Sequence, residues 1–154
     1  MPDDEAPERL VLDAMLGKLA TYLRMCGYDT AYGLDRDAEA DDDILELADS
    51  EDRLLITRDR DLAARAPDSV LLSNREIDGQ LRELADAGFQ LSLAPEPAHC
   101  GVCNGSVEQV DSVEPTPEYA PSADEEAVWR CTDCEQHFWK GSHWESVAAT
   151  LETL

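Results

Sequence analysis

Two C-x-x-C pairs constrain this chain more than any other feature. Cys100-Gly-Val-Cys103 and Cys131-Thr-Asp-Cys134 can each present two thiolates to one tetrahedral ion, at about 2.3 Å for zinc. Four thiolates fill the shell and leave no open position, so a structural Zn²⁺ is expected. Structural zinc contributes about 10–16 kcal/mol to the folding of small finger peptides. The stretch around these cysteines is short and poor in aliphatic residues, and needs such a staple. A rubredoxin-like iron centre would use the same ligands, whereas a redox dithiol would not need two pairs. The fifth cysteine, Cys26, sits beside an apolar helical stretch and reads as an ordinary buried thiol. His99, His137 and His143 are spare donors that a four-cysteine site does not require.

The first hundred residues follow a different rule. Leu54-Leu55-Ile56-Thr57 is apolar or β-branched without polar alternation, which suits a strand buried on both faces. Arg58-Asp59-Arg60-Asp61 follows, and a helix starts at Leu62 and stops at Pro67. Leu10-Val11-Leu12 is a similar strand that runs directly into Asp13. Leu16, Leu19, Ala20 and Leu23 then mark one helical face, and Gly27 is placed to end that helix in a left-handed cap. Thr30-Ala31-Tyr32 is a weaker strand, Asp35 to Glu39 a charged loop, and Asp41-Asp42-Asp43 opens a helix that buries Ile44, Leu47 and Ala48. Val70-Leu71-Leu72 reads as a fourth strand, Ile77 to Ala85 as a helix ended by Gly88, and Phe89 to Leu93 as a fifth strand. Strands alternating with helices imply an α/β fold, a mainly parallel sheet flanked by helices. Pro95 and Pro97 mark a boundary, giving a first domain over 1–94 and a small module with a terminal helix over 95–154. Within the module, Glu114 to Glu126 is an acidic, proline-containing loop.

In such a fold the turn after the first strand, the start of the second helix and the turn after the third strand share one edge, where open α/β folds hold ligands. Asp13, the Asp41–Asp43 run and Asp59 should therefore converge. Gathered carboxylates repel, at roughly 4 kcal/mol for a pair 4 Å apart at an effective dielectric of 20. A hard divalent cation offsets that repulsion. Mg²⁺ and Mn²⁺ choose oxygen ligands and leave positions for water and substrate phosphate. Asp13 carries most weight, since a lone carboxylate ending a buried strand is costly without partners. Asp41, Asp42, Asp43 and Asp61 also have plain readings as helix-start and surface charges. Lys18 and Arg58 flank the acids, to meet a phosphate or merely to neutralise them.

The formal net charge is −23, with 35 acidic residues spread along 154 and only two lysines, Lys18 and Lys140. That pattern reads as a halophilic surface, because at molar salt the Debye length falls to about 3 Å and self-repulsion is screened. Met1 to Glu5 lacks a basic region followed by an apolar one, and no apolar run approaches the roughly 20 residues of a membrane span. A soluble, cytoplasmic protein with no membrane partner is expected.

Asp13-Ala-Met-Leu-Gly-Lys-Leu-Ala, Tyr22-Leu-Arg-Met-Cys-Gly-Tyr-Asp29 and Leu55-Ile-Thr-Arg-Asp59 resemble the Mut-seven C-terminal RNase domain family. The likeness continues through both cysteine pairs into Phe138-Trp-Lys-Gly-Ser-His-Trp144. Phe138 stands where the family often has Tyr, and the acidic loop is long. The resemblance implies a PIN-like nuclease domain joined to a zinc ribbon, and metal-dependent cleavage of RNA. Asp13 and Asp59 match the acids after the first and third strands, Asp41 best matches the acid opening the second helix, and Asp61 stands as a fourth. The Gly141-Ser-His-Trp segment is placed to fold toward the nuclease edge, where His143 would touch substrate, or simply to pack the ribbon through Trp139 and Trp144.

The function expected is a ribonuclease in which one or two Mg²⁺ or Mn²⁺ ions on the Asp cluster activate a water for in-line attack, leaving a 5′-phosphate. So acidic a chain has little basic area for RNA. Lys18, Arg24, Arg58 and aromatics near Trp139 must then supply the grip, together with His143. The competing function is a non-catalytic RNA- or protein-binding module, and a toxin of a toxin–antitoxin pair would share the chemistry. A ribosomal or RNA-processing partner is compatible with either.

Overall fold

A computed structural model describes residues 9–38, 40–66, 68–94 and 96–154. The readings made above for Met1 to Glu5, Glu39, Pro67 and Pro95 fall outside them. Four short strands, β1 (Arg9–Leu12), β2 (Asp29–Tyr32), β3 (Leu54–Thr57) and β4 (Ser69–Leu71), form one parallel sheet in the order β2-β1-β3-β4. Helices α1 (Gly17–Met25), α2 (Asp41–Ser50), α3 (Arg60–Arg65) and α4 (Ile77–Asp86) alternate with them. This is the α/β arrangement expected from the sequence.

Successive residues of a strand face opposite sides of the sheet, and the core divides accordingly. Leu10, Leu12 and Ile56 join Leu16, Leu19 and Leu23 of the first helical segment and Leu81 and Leu84 of α4 in one cluster. Val11, Ala31 and Leu55 join Ile44 and Leu47 of α2 and Leu62 of α3 in the other. Both faces of the two central strands are covered, so Leu10 to Leu12 and Leu54 to Ile56 are apolar throughout. Fully burying each such side chain is worth about 1.5–3 kcal/mol.

Two helices end alike. Gly27 takes φ 95° and Gly88 φ 104°, conformations that a Cβ disfavours. Around Gly27 the Tyr28 amide donates to the Leu23 carbonyl and the Gly27 amide to that of Arg24. Around Gly88 the amides of Phe89 and Gly88 donate to the Leu84 and Ala85 carbonyls. These are Schellman caps, and the residues following them meet, with the Tyr28 and Phe89 ring centroids 5.6 Å apart.

The expected fifth strand at Phe89 to Leu93 does not form. The segment is unpaired, held by the Gln90 amide donating to Tyr28 Oη and the Ala94 amide to the Met25 carbonyl. Its alternating Phe89, Leu91 and Leu93 pack on the first cluster. The alternation therefore reports one buried face without a ladder partner.

Beyond it, β5 (Val107–Gln109), β6 (Trp129–Cys131) and β7 (His137–Phe138) make a small antiparallel sheet, and α5 (Ser142–Glu152) follows. This part is closely tied to the parallel sheet. Val147 of α5 is fully buried in the first cluster. The Gly101 carbonyl accepts from Thr21 Oγ1 and from Arg24 Nη1. Asn104 accepts from the Thr30 amide and donates to Asp29 Oδ1, and so fastens the first cysteine turn to β2. No described helix is long and apolar enough to cross a membrane.

Candidate active site

The strand order reverses direction between β1 and β3. The chain leaves β1 for β2 on one side and then crosses back to β3 on the other, which is the position where α/β sheets open a crevice. Asp13 directly follows β1, and Asp59 lies two residues past β3. Thr57 links them, its hydroxyl donating to Asp13 Oδ2 at 2.5 Å and accepting from the Asp59 amide at 3.0 Å. Asp59 caps α3, with Oδ1 accepting from the Asp61 and Leu62 amides at 2.9 and 3.1 Å. The capping bonds set the orientation of its carboxylate.

Asp13 is 7 % exposed, and its Oδ1 is buried without a hydrogen-bond partner. Burial raises its carboxyl above the ordinary range. The Thr57 hydroxyl and the Met15 amide pull it back, while the charges of Asp59 and Asp41 push it further up. Asp41 is the first residue of α2 and its charge bears on the Asp13 carboxyl, whereas Asp42 pairs with Arg65 at 2.5 Å. Asp61 and Lys18 are exposed. Arg58 has a buried Nε without a partner, and its Nη1 stands 3.7 Å from Met15 Sδ; no described acid pairs with it. Arg24, by contrast, is buried and already committed, Nε to the Thr30 carbonyl and Nη1 to that of Gly101.

A buried, unpartnered carboxylate oxygen among like charges is the environment a hard cation relieves. The donor set of Asp13, Asp41 and Asp59 fits Mg²⁺ or Mn²⁺. Among the described residues these oxygens do not all approach within 4.8 Å of one another, as the cysteine sulfurs do.

The cysteines lie close together. Cys100 and Cys134 Sγ are 3.6 Å apart, as are Cys103 and Cys131 Sγ, and all four sulfurs fall within 4.8 Å of one another. Tetrahedral zinc with 2.3 Å bonds sets its sulfurs about 3.8 Å apart, so the set fits Zn²⁺. The residue after each pair, Asn104 or Glu135, takes positive φ (71° and 68°) and closes the turn. Amides of Val102, Asp133 and Cys134 donate to Cys100 and Cys131 sulfurs at 3.3–3.4 Å. Cys100 is pushed up to about 12 by burial, whereas at Cys131 the amide bonds overcome burial and bring it to about 7. Cys26 lies apart from this set, and burial raises its thiol to about 12.

Thr57 and Asn104 do work that the sequence reading did not assign. The one available hint for Thr57 was a hydroxyl at the end of an otherwise apolar strand beside Arg58-Asp59. Aromatic residues and the three histidines gather elsewhere, where α1 faces the ribbon: His99, His137 and His143 line one cavity with Phe138, Trp139 and Trp144.

The family model described as Mut7-C RNAse domain matches residues 8–151, nearly the whole chain. Comparison with curated proteins gives no match, and comparison with solved structures gives none.

Proposed function

Since the chain belongs to the Mut7-C RNAse domain family, we propose that it is a metal-dependent ribonuclease acting at the carboxyl edge of its parallel sheet. The observation that carries this is Asp13 Oδ1, buried and unpartnered with the charges of Asp59 and Asp41 bearing on the same carboxyl. Asp13, Asp41 and Asp59 would hold Mg²⁺ or Mn²⁺, which when bound would supply positive charge to the scissile phosphate and lower the pKa of a water, so that it could lose its proton to solvent and attack as hydroxide. Asp61, the second residue of α3, would reach this shell through water.

The chain's own residues prepare the site. Thr57 fixes the rotamer of Asp13 and, through the Asp59 amide, the start of α3. Arg58, uncommitted to any described acid, is placed to meet a phosphate oxygen, and Lys18 on the exposed side of α1 adds a second cation. The four cysteines would hold a structural Zn²⁺ that keeps the ribbon folded against α1 and β2. The net charge of −23 fits work at molar salt, where the acidic surface repels RNA only over a few ångströms.

A non-catalytic RNA- or protein-binding module draws its support from the spread of the three carboxylates. The readings separate on manganese-dependent cleavage of single-stranded RNA. Cleavage by the parent chain and its loss in folded Asp13→Asn and Asp59→Asn proteins supports the enzyme. Equal rates in the variants would remove the catalytic assignment.

A further inference from the structure

Between α1 and the ribbon lies a cavity of about 560 Å³, within the size range of small-ligand pockets. One wall is Thr21, Arg24 and Tyr32, and the other Phe138, Trp139 and Trp144. Every histidine of the sequence lines it. Of 35 acidic residues, Asp35 is the one found among its described lining residues. On so negative a chain this is a place where aromatic faces and nitrogen donors outnumber carboxylates.

The lining points to a planar occupant with hydrogen-bonding edges, since Phe138, Trp139 and Trp144 offer ring faces and the three histidines ring nitrogens. Gly141, just before α5, lets the Trp139 ring pack against the backbone at the cavity: a Cβ there would stand 2.5 Å from Trp139 Nε1.

We propose that this cavity receives one unstacked base of a single-stranded RNA. The proposal rests on the nuclease reading for the identity of the polymer, and it supplies what that reading lacks. A chain of this charge cannot gather RNA by long-range attraction, and phosphate contacts weaken further as salt rises. Stacking needs no net positive charge and is worth about 1–3 kcal/mol per base. The position also serves cleavage. Asp13 opens the turn Ala14–Leu16, and Gly17, the next residue, lines the cavity. At about 2 Å per residue the turn sets the two about 8 Å apart, the reach of neighbouring nucleotides. Tyr32 lies between them: its hydroxyl donates to the Ala14 carbonyl at 2.5 Å, and burial, then Asp35 and Asp13, raise its phenol. An apolar peptide would fill the same volume but offer the histidine ring nitrogens no polar edge.

The test uses the full zinc-loaded chain as Asp59→Asn, so that RNA stays intact, in molar KCl without Mg²⁺ or Mn²⁺. The probe is a short single-stranded RNA carrying one 2-aminopurine. Binding should quench the aminopurine. Adding Trp139→Ala should weaken affinity about 5- to 150-fold, the span of one lost stacking contact. Trp139→Phe should restore most of it, and His143→Ala on the exposed rim should weaken it less. Zinc content and melting temperature report whether each variant is folded. The aminopurine signal needs only Asp59→Asn, so it decides the matter even if Trp139→Ala misfolds. An unquenched aminopurine, affinity unchanged in folded Trp139→Ala, or occupation by an apolar peptide that leaves RNA binding intact would each overturn the proposal. Quenching without manganese-dependent cleavage by the parent chain would spare the cavity and sink the nuclease. Cleavage with a KM indifferent to Trp139→Ala would do the reverse.

Discussion

Asp13→Asn should make the metal-free protein more stable while abolishing its activity. The folded chain holds this carboxyl 7 % exposed, with Oδ2 bonded to Thr57 and Oδ1 bonded to nothing. Burial, and after it the charges of Asp59 and Asp41, raise it above the usual carboxylate range despite the Thr57 and Met15 donors. A carboxyl raised on folding binds its proton more tightly in the folded chain. The stability it gives is therefore complete below the unfolded value, about 3.9, and is lost as pH rises through the folded one. At pH 7, where the unfolded chain ionises it, the group is a net cost to folding. A buried polar group left unpaired costs about 1–3 kcal/mol, and more when charged. Asparagine keeps the Thr57 bond through its carbonyl oxygen and removes the charge, but its amide nitrogen inherits part of the unpaired position. A net gain of about 1 kcal/mol is expected, or about 2–4 °C in melting temperature for a chain of this length. Thermal unfolding of zinc-loaded protein at pH 7, followed by circular dichroism without and with Mn²⁺, measures it. Mn²⁺ at a hundred times its Kd should stabilise the parent by about 2.7 kcal/mol and the variant far less. A variant that melts lower than the parent without Mn²⁺, or an equal response of both to Mn²⁺, would refute the reasoning.

Three further outcomes are expected. Elemental analysis should find one zinc per chain, and Cys131→Ser should lose it together with protection of the Thr30 amide, which Asn104 holds from the ribbon side, in hydrogen exchange. Glu83 accepts hydrogen bonds from the amides of Ser73 and Asn74 and from both their side chains. Burial opposes its ionisation but these donors prevail and hold it below its usual range, so its contribution is present above the ordinary Glu value and lost as pH falls through the lowered one. Glu83→Gln should therefore cost about 1–2 kcal/mol at pH 7, a gap that closes in denaturant titrations repeated at progressively lower pH. Val147→Ala, at a fully buried position of the first cluster, should cost about 1–3 kcal/mol in one cooperative transition that includes the parallel sheet.

The parallel sheet was legible because its signals are local. Leu10 to Leu12 and Leu54 to Thr57 are continuous apolar runs, and Gly27 and Gly88 follow helical faces at the positions where left-handed caps form. Phe89 to Leu93 misled because period-two alternation records which side of a segment is buried, not whether a neighbour pairs with it. Four cysteines at metal-ligand spacing were equally plain. Thr57 was not, because its role depends on Asp13, 44 positions away. Neither was Asn104, whose partners Asp29 and Thr30 lie 75 and 74 positions away. Asp41 could not be told from Asp42 and Asp43 by composition. A shift of one position around a helix start turns a side chain by about 100°, and the folded chain sends Asp42 to Arg65 instead.

The claim on which the rest depends is that acids distant in sequence hold a divalent cation together at the β1–β3 crevice. Anomalous scattering from crystals soaked in Mn²⁺ tests it most directly. The expected result is manganese density in contact with Asp13 Oδ1 and shared with Asp59, alongside zinc at the four cysteines. Zinc at the ribbon with no manganese at Asp13, at Mn²⁺ concentrations that support cleavage, would contradict it.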